Sequence, residues 1–366
     1  VKFPSLITSR KGLFILGFSF AAVLIGLVLQ FVFSKVTFPK GVLSEKRAQQ
    51  SLNEKYAQKT AAPKVLGVSG EVRGVQVINK TQQFSSVGKI PFGVVPQDSV
   101  NKTGELSSLQ QILGIKLASV SVFKQFGLPG NDAFDTADFN YEKSNGINIQ
   151  LAWEPWNPSL TGAQSVDYLK EIQGGSYDSY IKSFVEAVKQ YGGPVTLRFG
   201  HEMNGDWYPW GNRPADYVAA YRHVHQQAMS VGASNITWMW CVNETYDPSS
   251  LDQFYPGNDV VDVVGIDGFN WGTTQNYGGW KSFTDVFGGT YQYLSAHYNK
   301  PLVIAETGST EYGGDKAKWV SEMFSVLSTK FSKVRAVVWF DLLKETDWRI
   351  NSSKSSLEAF RSYFSK

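Results

Sequence analysis

From residue 89 to the end of the chain, short apolar runs alternate with longer helical patterns. The runs 92–95, 117–122, 147–153, 195–199, 236–240, 261–266, 302–305 and 336–340 are rich in β-branched and aromatic residues and are bounded by polar stretches, the pattern of buried strands. Between them, 106–113, 177–191, 215–230, 283–297 and 317–330 carry apolar residues at helical spacing. Phe184, Val185 and Val188 set one stripe, and Pro214 suits the first turn of its helix. Strands separated by helices pair in parallel, so eight such units predict an α/β protein closed into a (β/α)8 TIM barrel, with an open doubly wound sheet as the alternative. The sixth connection is irregular, and its glycine-rich parts 272–279 and 288–289 are expected as loops at the barrel rim.

The first 88 residues break this rhythm. In the run 13–33, LFILGFSFAAVLIGLVLQFVF, Ser19 and Gln30 are the clearly polar members. A helix of that length rises roughly 30 Å, enough to cross a bilayer core. A secretory signal has a shorter apolar region and a small-residue cleavage site, which the continuation into Ser34 and Lys35 does not offer. The expected organisation is a short cytoplasmic N-terminus at 1–12, a transmembrane anchor at 13–33, a spacer and possible small extension at 34–88, and the barrel at 89–366. Lys2, Arg10 and Lys11 before the span favour a single pass through the cell membrane with the barrel outside. Secretion after signal cleavage is the alternative.

Composition narrows the chemistry. The net charge of +3, from 35 Lys and Arg against 32 Asp and Glu without a long basic run, gives no footing for nucleic acid. Cys241 is the sole cysteine, so no internal disulfide or cysteine-based metal cluster can form, and four histidines without ligand spacing point to no metal. No glycine-rich turn resembles a phosphate cradle, so no cofactor is expected, and no obligate protein partner is evident. The 11 Trp and 17 Tyr are rings that fill cores or stack on ring-shaped ligands.

The segment 198–211, RFGHEMNGDWYPWG, places Glu202 just beyond the fourth strand among His201, Asn204, Trp207, Tyr208 and Trp210. A glutamate in a loop is ordinarily a rim residue in a salt bridge. Three large rings, an amide and an imidazole instead make surroundings that raise a carboxyl toward the pKa of a working acid. A second carboxylate, Glu306, follows the seventh strand in PLVIAETGST. The C-terminal ends of strands four and seven face one barrel mouth, where two carboxylates can converge across a sugar as glycoside hydrolysis requires.

These residues resemble glycoside hydrolase family 26, a retaining family in the large clan of barrel glycosidases. The likeness lies in Arg198, His201, Glu202, Asn204, Gly205, Trp207, Trp210 and Gly211, in VGIDGFNW at 264–271, and in Glu306, Thr307 and Gly308. It implies Glu202 as general acid/base and Glu306 as nucleophile in a double displacement on a β-linked polysaccharide or oligosaccharide. β-1,4-Mannan and glucomannan are the first substrates implied for such an endo-β-glycanase, with mixed-linkage β-glucan or β-1,3-xylan as alternatives. The family has a tyrosine near the nucleophile where this chain has Phe269, which keeps the ring but lacks the hydroxyl. A carbohydrate-binding cell-envelope scaffold with little catalysis is therefore the alternative of another class.

Supporting roles are expected for His201, as a hydrogen-bond partner or a buried structural histidine, and for Arg198 inside strand four. Asn243 is expected to face the mouth, and Asp267 to supply polarity or cap a turn. Trp153, Trp156, Trp207, Tyr208, Trp210, Asn270 and Trp271 are candidate sugar contacts, and the clan resemblance implies Trp339 as the platform beneath the reactive sugar. Glu154 and Glu244 are read as rim or subsite carboxylates outside the pair.

Overall fold

Eight strands pair in parallel, each with the next, and the last returns to the first to close a barrel. They are β1 (Phe92–Val95), β2 (Ser119–Gln125), β3 (Asn148–Glu154), β4 (Val195–Phe199), β5 (Ile236–Asn243), β6 (Val263–Asn270), β7 (Leu302–Ser309) and β8 (Val334–Phe340). The computed structural model of the protein describes residues 89–98, 102–160, 164, 166–276 and 279–365. The barrel expectation holds, and the open sheet is excluded by the β1 to β8 pairing.

Alternation along each strand sorts the side chains. On β3, Ile149, Leu151 and Trp153 join the main core beneath the helices, whereas Gln150 reaches the Ala305 carbonyl of β7 and Glu154 reaches the His201 ring just past β4. A small apolar plug of Met239, Cys241, Val263, Val303, Ala305 and Ala336 fills the interior on the β5 to β8 side.

The helices are α1 (Lys102–Leu113), α2 (Asn140–Asn145), α3 (Tyr168–Gln173), α4 (Asp178–Tyr191), α5 (Pro214–Val231), α6 (Phe283–His297), α7 (Lys316–Thr329) and α8 (Lys354–Phe364). Helix α4 buries Tyr180, Ile181, Phe184, Val185, Val188 and Tyr191, a stripe at helical spacing, and stops at Gly192 in the left-handed conformation. Phe184 stacks on Trp153 with centroids 4.2 Å apart; truncating such a buried ring to alanine costs about 3–5 kcal/mol. Pro214 opens α5, where no backbone donor is needed. Ser282 and Asp285 form a reciprocal capping box on α6.

Three sequence expectations change. Gly288 and Gly289 lie inside α6 and not in a rim loop, because the capping box and the apolar face with Phe283, Phe287 and Leu294 outweigh two glycines. Strands β5, β6 and β7 run several residues beyond the apolar runs, so Asn243, Asp267 and Glu306 are strand residues.

The membrane anchor, with the cell-membrane location and the bilayer partner that follow from it, is also corrected. Among the described residues no helix is long and apolar enough to cross a membrane; α5, at 18 residues, carries Asp216, Arg222 and His223. The run 13–33 and the spacer 34–88 lie outside the described residues.

Candidate active site

Beyond β4 the chain turns sharply. Gly200 has φ 54° and Glu202 has φ 53°, a left-handed conformation that costs a non-glycine residue on the order of 1 kcal/mol. The surroundings hold it there. The Glu202 N–H donates to the Cys241 carbonyl at 2.9 Å, the Glu202 carbonyl accepts from Gly205 at 3.0 Å, and Asn212 N–H donates to the Met203 carbonyl at 2.8 Å. Met203 is fully buried. A Cβ on Gly211 would lie 2.2 Å from the Gly205 carbonyl oxygen, so Gly205 and Gly211 meet where no side chain fits. Trp210 is buried beneath the turn and donates to the His201 carbonyl at 2.8 Å, with Tyr208 stacked on it at 4.3 Å.

Glu306 reaches the mouth by a different device. Ile266 pairs with Ile304, but Asp267 pairs with Glu306, leaving Ala305 as an extra residue in β7. Leu302 and Ile304 face the helices while Val303 and Ala305 face the interior, so strict alternation would send residue 306 outward. The bulge re-aims it inward. Gln150 donates from β3 to the Ala305 carbonyl at 2.8 Å, and at 3.2 Å to the Ser121 hydroxyl. The bulged carbonyl thereby has a partner from across the barrel.

One ion-pair chain joins these parts. Arg198, fully buried, donates to both Asp267 oxygens at 3.0 and 3.2 Å, to the Ser121 hydroxyl at 3.4 Å, and to Glu306. His201 Nδ1 lies 3.3 Å from Asp267 Oδ2, and its Nε2 lies 3.1 Å from Glu154 Oε1. Glu154 Oε2 accepts from Gln125 at 2.6 Å and from Trp156 Nε1 at 3.1 Å. His201, Asp267 and Glu306 also bring ligand atoms within 4.8 Å of one another. Arg198 already pairs with both carboxylates there, so a divalent cation would meet a guanidinium, and the cluster fits an ion-pair network better than a metal centre.

Burial and charge set the protonation states. Burial disfavours the His201 imidazolium, yet the hydrogen bonds to Asp267 and Glu154 outweigh it and hold the pKa up at about 10. Burial likewise disfavours the Glu154 carboxylate, but His201 keeps it below its ordinary value. At Glu202 burial wins: the pKa is pushed up to about 7, with His201 opposing and Asp267 and Glu306 reinforcing. Glu306 is also pushed up by burial, and the Arg198 charge opposes that rise. Glu202 is thus a carboxyl that exchanges a proton near neutrality, and Glu306 a carboxyl whose ionised form is held by a guanidinium.

The remaining sequence candidates divide. Trp207 is 52% exposed and donates to Glu202 Oε2 at 2.7 Å. Trp156 meets Tyr208 and Trp210 edge-on at 5.6 and 5.9 Å. Asn243 has its main chain clamped by the Asn204 amide at 2.8 and 2.9 Å. Asn270 is buried and shapes its loop, accepting from Lys281 N–H at 3.0 Å and donating to the Ser309 hydroxyl at 2.9 Å. Phe269 packs at 5.3 Å from Phe340 and 5.2 Å from Trp348, and Trp271 meets Trp348 at 4.9 Å.

Trp153 and Trp339 face the helices, away from the mouth. Trp153 donates to the Tyr180 hydroxyl, and Trp339 packs against Trp319 and Phe360. What Trp339 does is donate to the Trp348 carbonyl at 2.8 Å, supporting a tryptophan that does join the mouth's aromatic cluster. Sequence reasoning missed Trp348, Ser121, Gln125, Gln150 and the part played by Glu154. Strand parity was the available signal: Ser121, Gln125, Gln150 and Glu154 share the inward set, whereas Trp339 shares that of outward Val337.

Residues 133–312 match the model for glycosyl hydrolase family 26. Endoglucanase H of Acetivibrio thermocellus is 39% identical over 279 residues, covering 74% of this chain and 29% of that protein. A mannan endo-1,4-beta-mannosidase of Bacillus subtilis is 26% identical over 207 residues, covering 52% of this chain and 49% of that one. The chain thus spans less than half the length of these curated relatives. Among solved structures, a family 26 beta-mannanase from Bacteroides ovatus superposes with a TM-score of 0.59 at 19% identity, covering 78% of this chain and 91% of that one, a likeness of fold. The match to the family 26 model runs from ahead of β3 to beyond β7, and so across both Glu202 and Glu306, and over that stretch this chain is similar to glycosyl hydrolase family 26.

Proposed function

We propose that the barrel, residues 89–366, is the catalytic domain of a retaining endo-β-glycanase. The carrying observation is that Glu306 is tied into one network, Glu306–Arg198–Asp267–His201–Glu154, whose His201, Asp267 and Glu306 charges act on the adjoining Glu202 carboxyl. Glu202 protonates the glycosidic oxygen while Glu306 attacks the anomeric carbon; Glu202 then takes a proton from water as that water releases the glycosyl-enzyme. Arg198 holds Glu306 as the attacking anion, and His201, engaged through both ring nitrogens, orients Asp267 and Glu154. Phe269 packs among rings and brings no hydroxyl, while Arg198 donates both to Glu306 and to the Ser121 hydroxyl.

The first substrate is a β-1,4-mannan or glucomannan, in line with the mannanases among the relatives. One observation favours a second reading: the relative at 39% identity is named an endoglucanase, against 26% for the Bacillus subtilis mannosidase, so a β-glucan, including mixed-linkage glucan, is the alternative. Reducing-sugar release from mannan, glucomannan, mixed-linkage glucan and β-1,3-xylan separates these. Both Glu202→Ala and Glu306→Ala are expected to abolish turnover. Binding without turnover by the unmodified protein would support the scaffold alternative, and turnover unaffected by either substitution would sink the assignment.

A further inference from the structure

The loops after β4, β5, β7 and β8 hold four large apolar residues exposed to solvent: Trp207, Tyr246, Tyr312 and Leu343. Tyr246 stands out, at 86% exposed and with no part in the central network. Its loop is nonetheless fixed. Glu244 N–H donates to the Asp267 carbonyl at 2.8 Å, and Thr245 N–H donates to the Thr290 hydroxyl on α6 at 3.0 Å. Just before them, Asn204 clamps Asn243, tying this loop to the one that carries Glu202.

An exposed ring on a rigid mount is poor economy for a folded core and good design for stacking a ligand. Polar groups accompany it. The Lys281 ammonium lies 4.9 Å from the Tyr246 ring centroid and 3.8 Å from Glu244 Oε1. Both charged side chains are about one-fifth exposed, Lys281 at 22% and Glu244 at 19%, so each keeps contact with solvent. A flat ring flanked by an ammonium donor and a carboxylate acceptor is the recognition set for a pyranose: C–H faces stack on the ring while equatorial hydroxyls meet the two charges.

We infer that Tyr246, Glu244 and Lys281 form a distal sugar-binding subsite, which holds a pyranose unit of a β-linked glycan on the β5 side of the mouth. The inference rests on the glycanase reading and adds to it a reason for preferring long chains over short ones, because a unit at this subsite is bound only when the chain extends beyond the reacting bond.

The test measures binding of manno-oligosaccharides and mixed-linkage gluco-oligosaccharides of three to six units by calorimetry, in a Glu306→Ala background that prevents turnover. Adding Tyr246→Ala is expected to weaken the longer ligands about tenfold, roughly 1.4 kcal/mol, and the shortest much less. Tyr246→Phe, which keeps the stacking face, restores most of the loss. Glu244→Gln with Lys281→Met gives a smaller loss of the same length dependence. Equal affinity of parent and Tyr246→Ala at every length, or an equal loss at every length, overturns the subsite alone. If the parent binds none of these ligands and the unmodified protein hydrolyses none of the polymers, the glycanase reading falls and the subsite falls with it. The exposure of Tyr246 makes misfolding of the alanine variant an ineffective explanation, and its melting temperature checks this directly.

Discussion

The raised pKa of Glu202 makes a prediction about stability as well as catalysis. Burial lifts the carboxyl from an ordinary 4.5 to about 7 in the folded chain. The sign follows from linkage: the folded state binds this proton more tightly than the unfolded one, so the associated stability is fully present below pH 4.5 and is lost as pH rises through 7. At about 1.4 kcal/mol per unit, keeping Glu202 ionised in the fold costs about 3 kcal/mol at pH 8. Glu202→Gln preserves the shape and the acceptor for Trp207 Nε1 and removes the titration. Its stability relative to the unmodified protein should therefore rise with pH between 4.5 and 7 and level off above, with a gain of roughly 5–10 °C in melting temperature for a domain of this size. Paired thermal melts from pH 4.5 to 9 measure it, and groups that do not interact with Glu202 cancel in the difference. A difference that stays flat with pH, or that is larger at pH 5 than at pH 8, would refute the claim that burial has made Glu202 a near-neutral acid.

Other consequences follow from the network around it. Glu154→Gln removes one of the two carboxylates that hold His201 protonated, so the His201 titration followed by nitrogen NMR should fall from about 10. As that cation is lost the Glu202 pKa rises, carrying the alkaline limb of kcat/KM to higher pH; an unmoved limb would mean that Glu154 only packs. Gln150→Leu leaves the Ala305 carbonyl without its partner from β3 and is expected to cost about 1–3 kcal/mol in urea unfolding. Because the bulge aims Glu306, kcat should fall more than KM rises, and a stability loss with unchanged kcat would contradict that role.

The barrel was readable because eight apolar runs separated by helical patterns leave few other ways to bury both faces of parallel strands. Glu202 was readable because its motif is dense in rings and polar groups just past a strand. What escaped the sequence depended on where a strand stops and which way it faces. The apolar runs ended at 240, 266 and 305, yet the pairing of β5, β6 and β7 continues through polar residues, of which Asp267 and Glu306 are met across the barrel by Arg198. Nothing local announces the extra residue at Ala305, since a bulge is a property of two strands in register. The exchange of Trp339 for Trp348 has the same origin: only strand parity turns one ring toward the helices, and only a loop hydrogen bond brings the other to the mouth. Glu154 could be named as a nearby carboxylate, but its bond to His201 joins residues 47 apart in the chain.

The most direct test of the double displacement is the anomeric form of the first product. Proton NMR of a β-linked oligosaccharide during hydrolysis should show the β-anomer first, with the α-anomer growing in later by mutarotation. If the α-anomer forms first, Glu306 does not attack carbon, and the roles given to Glu202 and Glu306 are wrong.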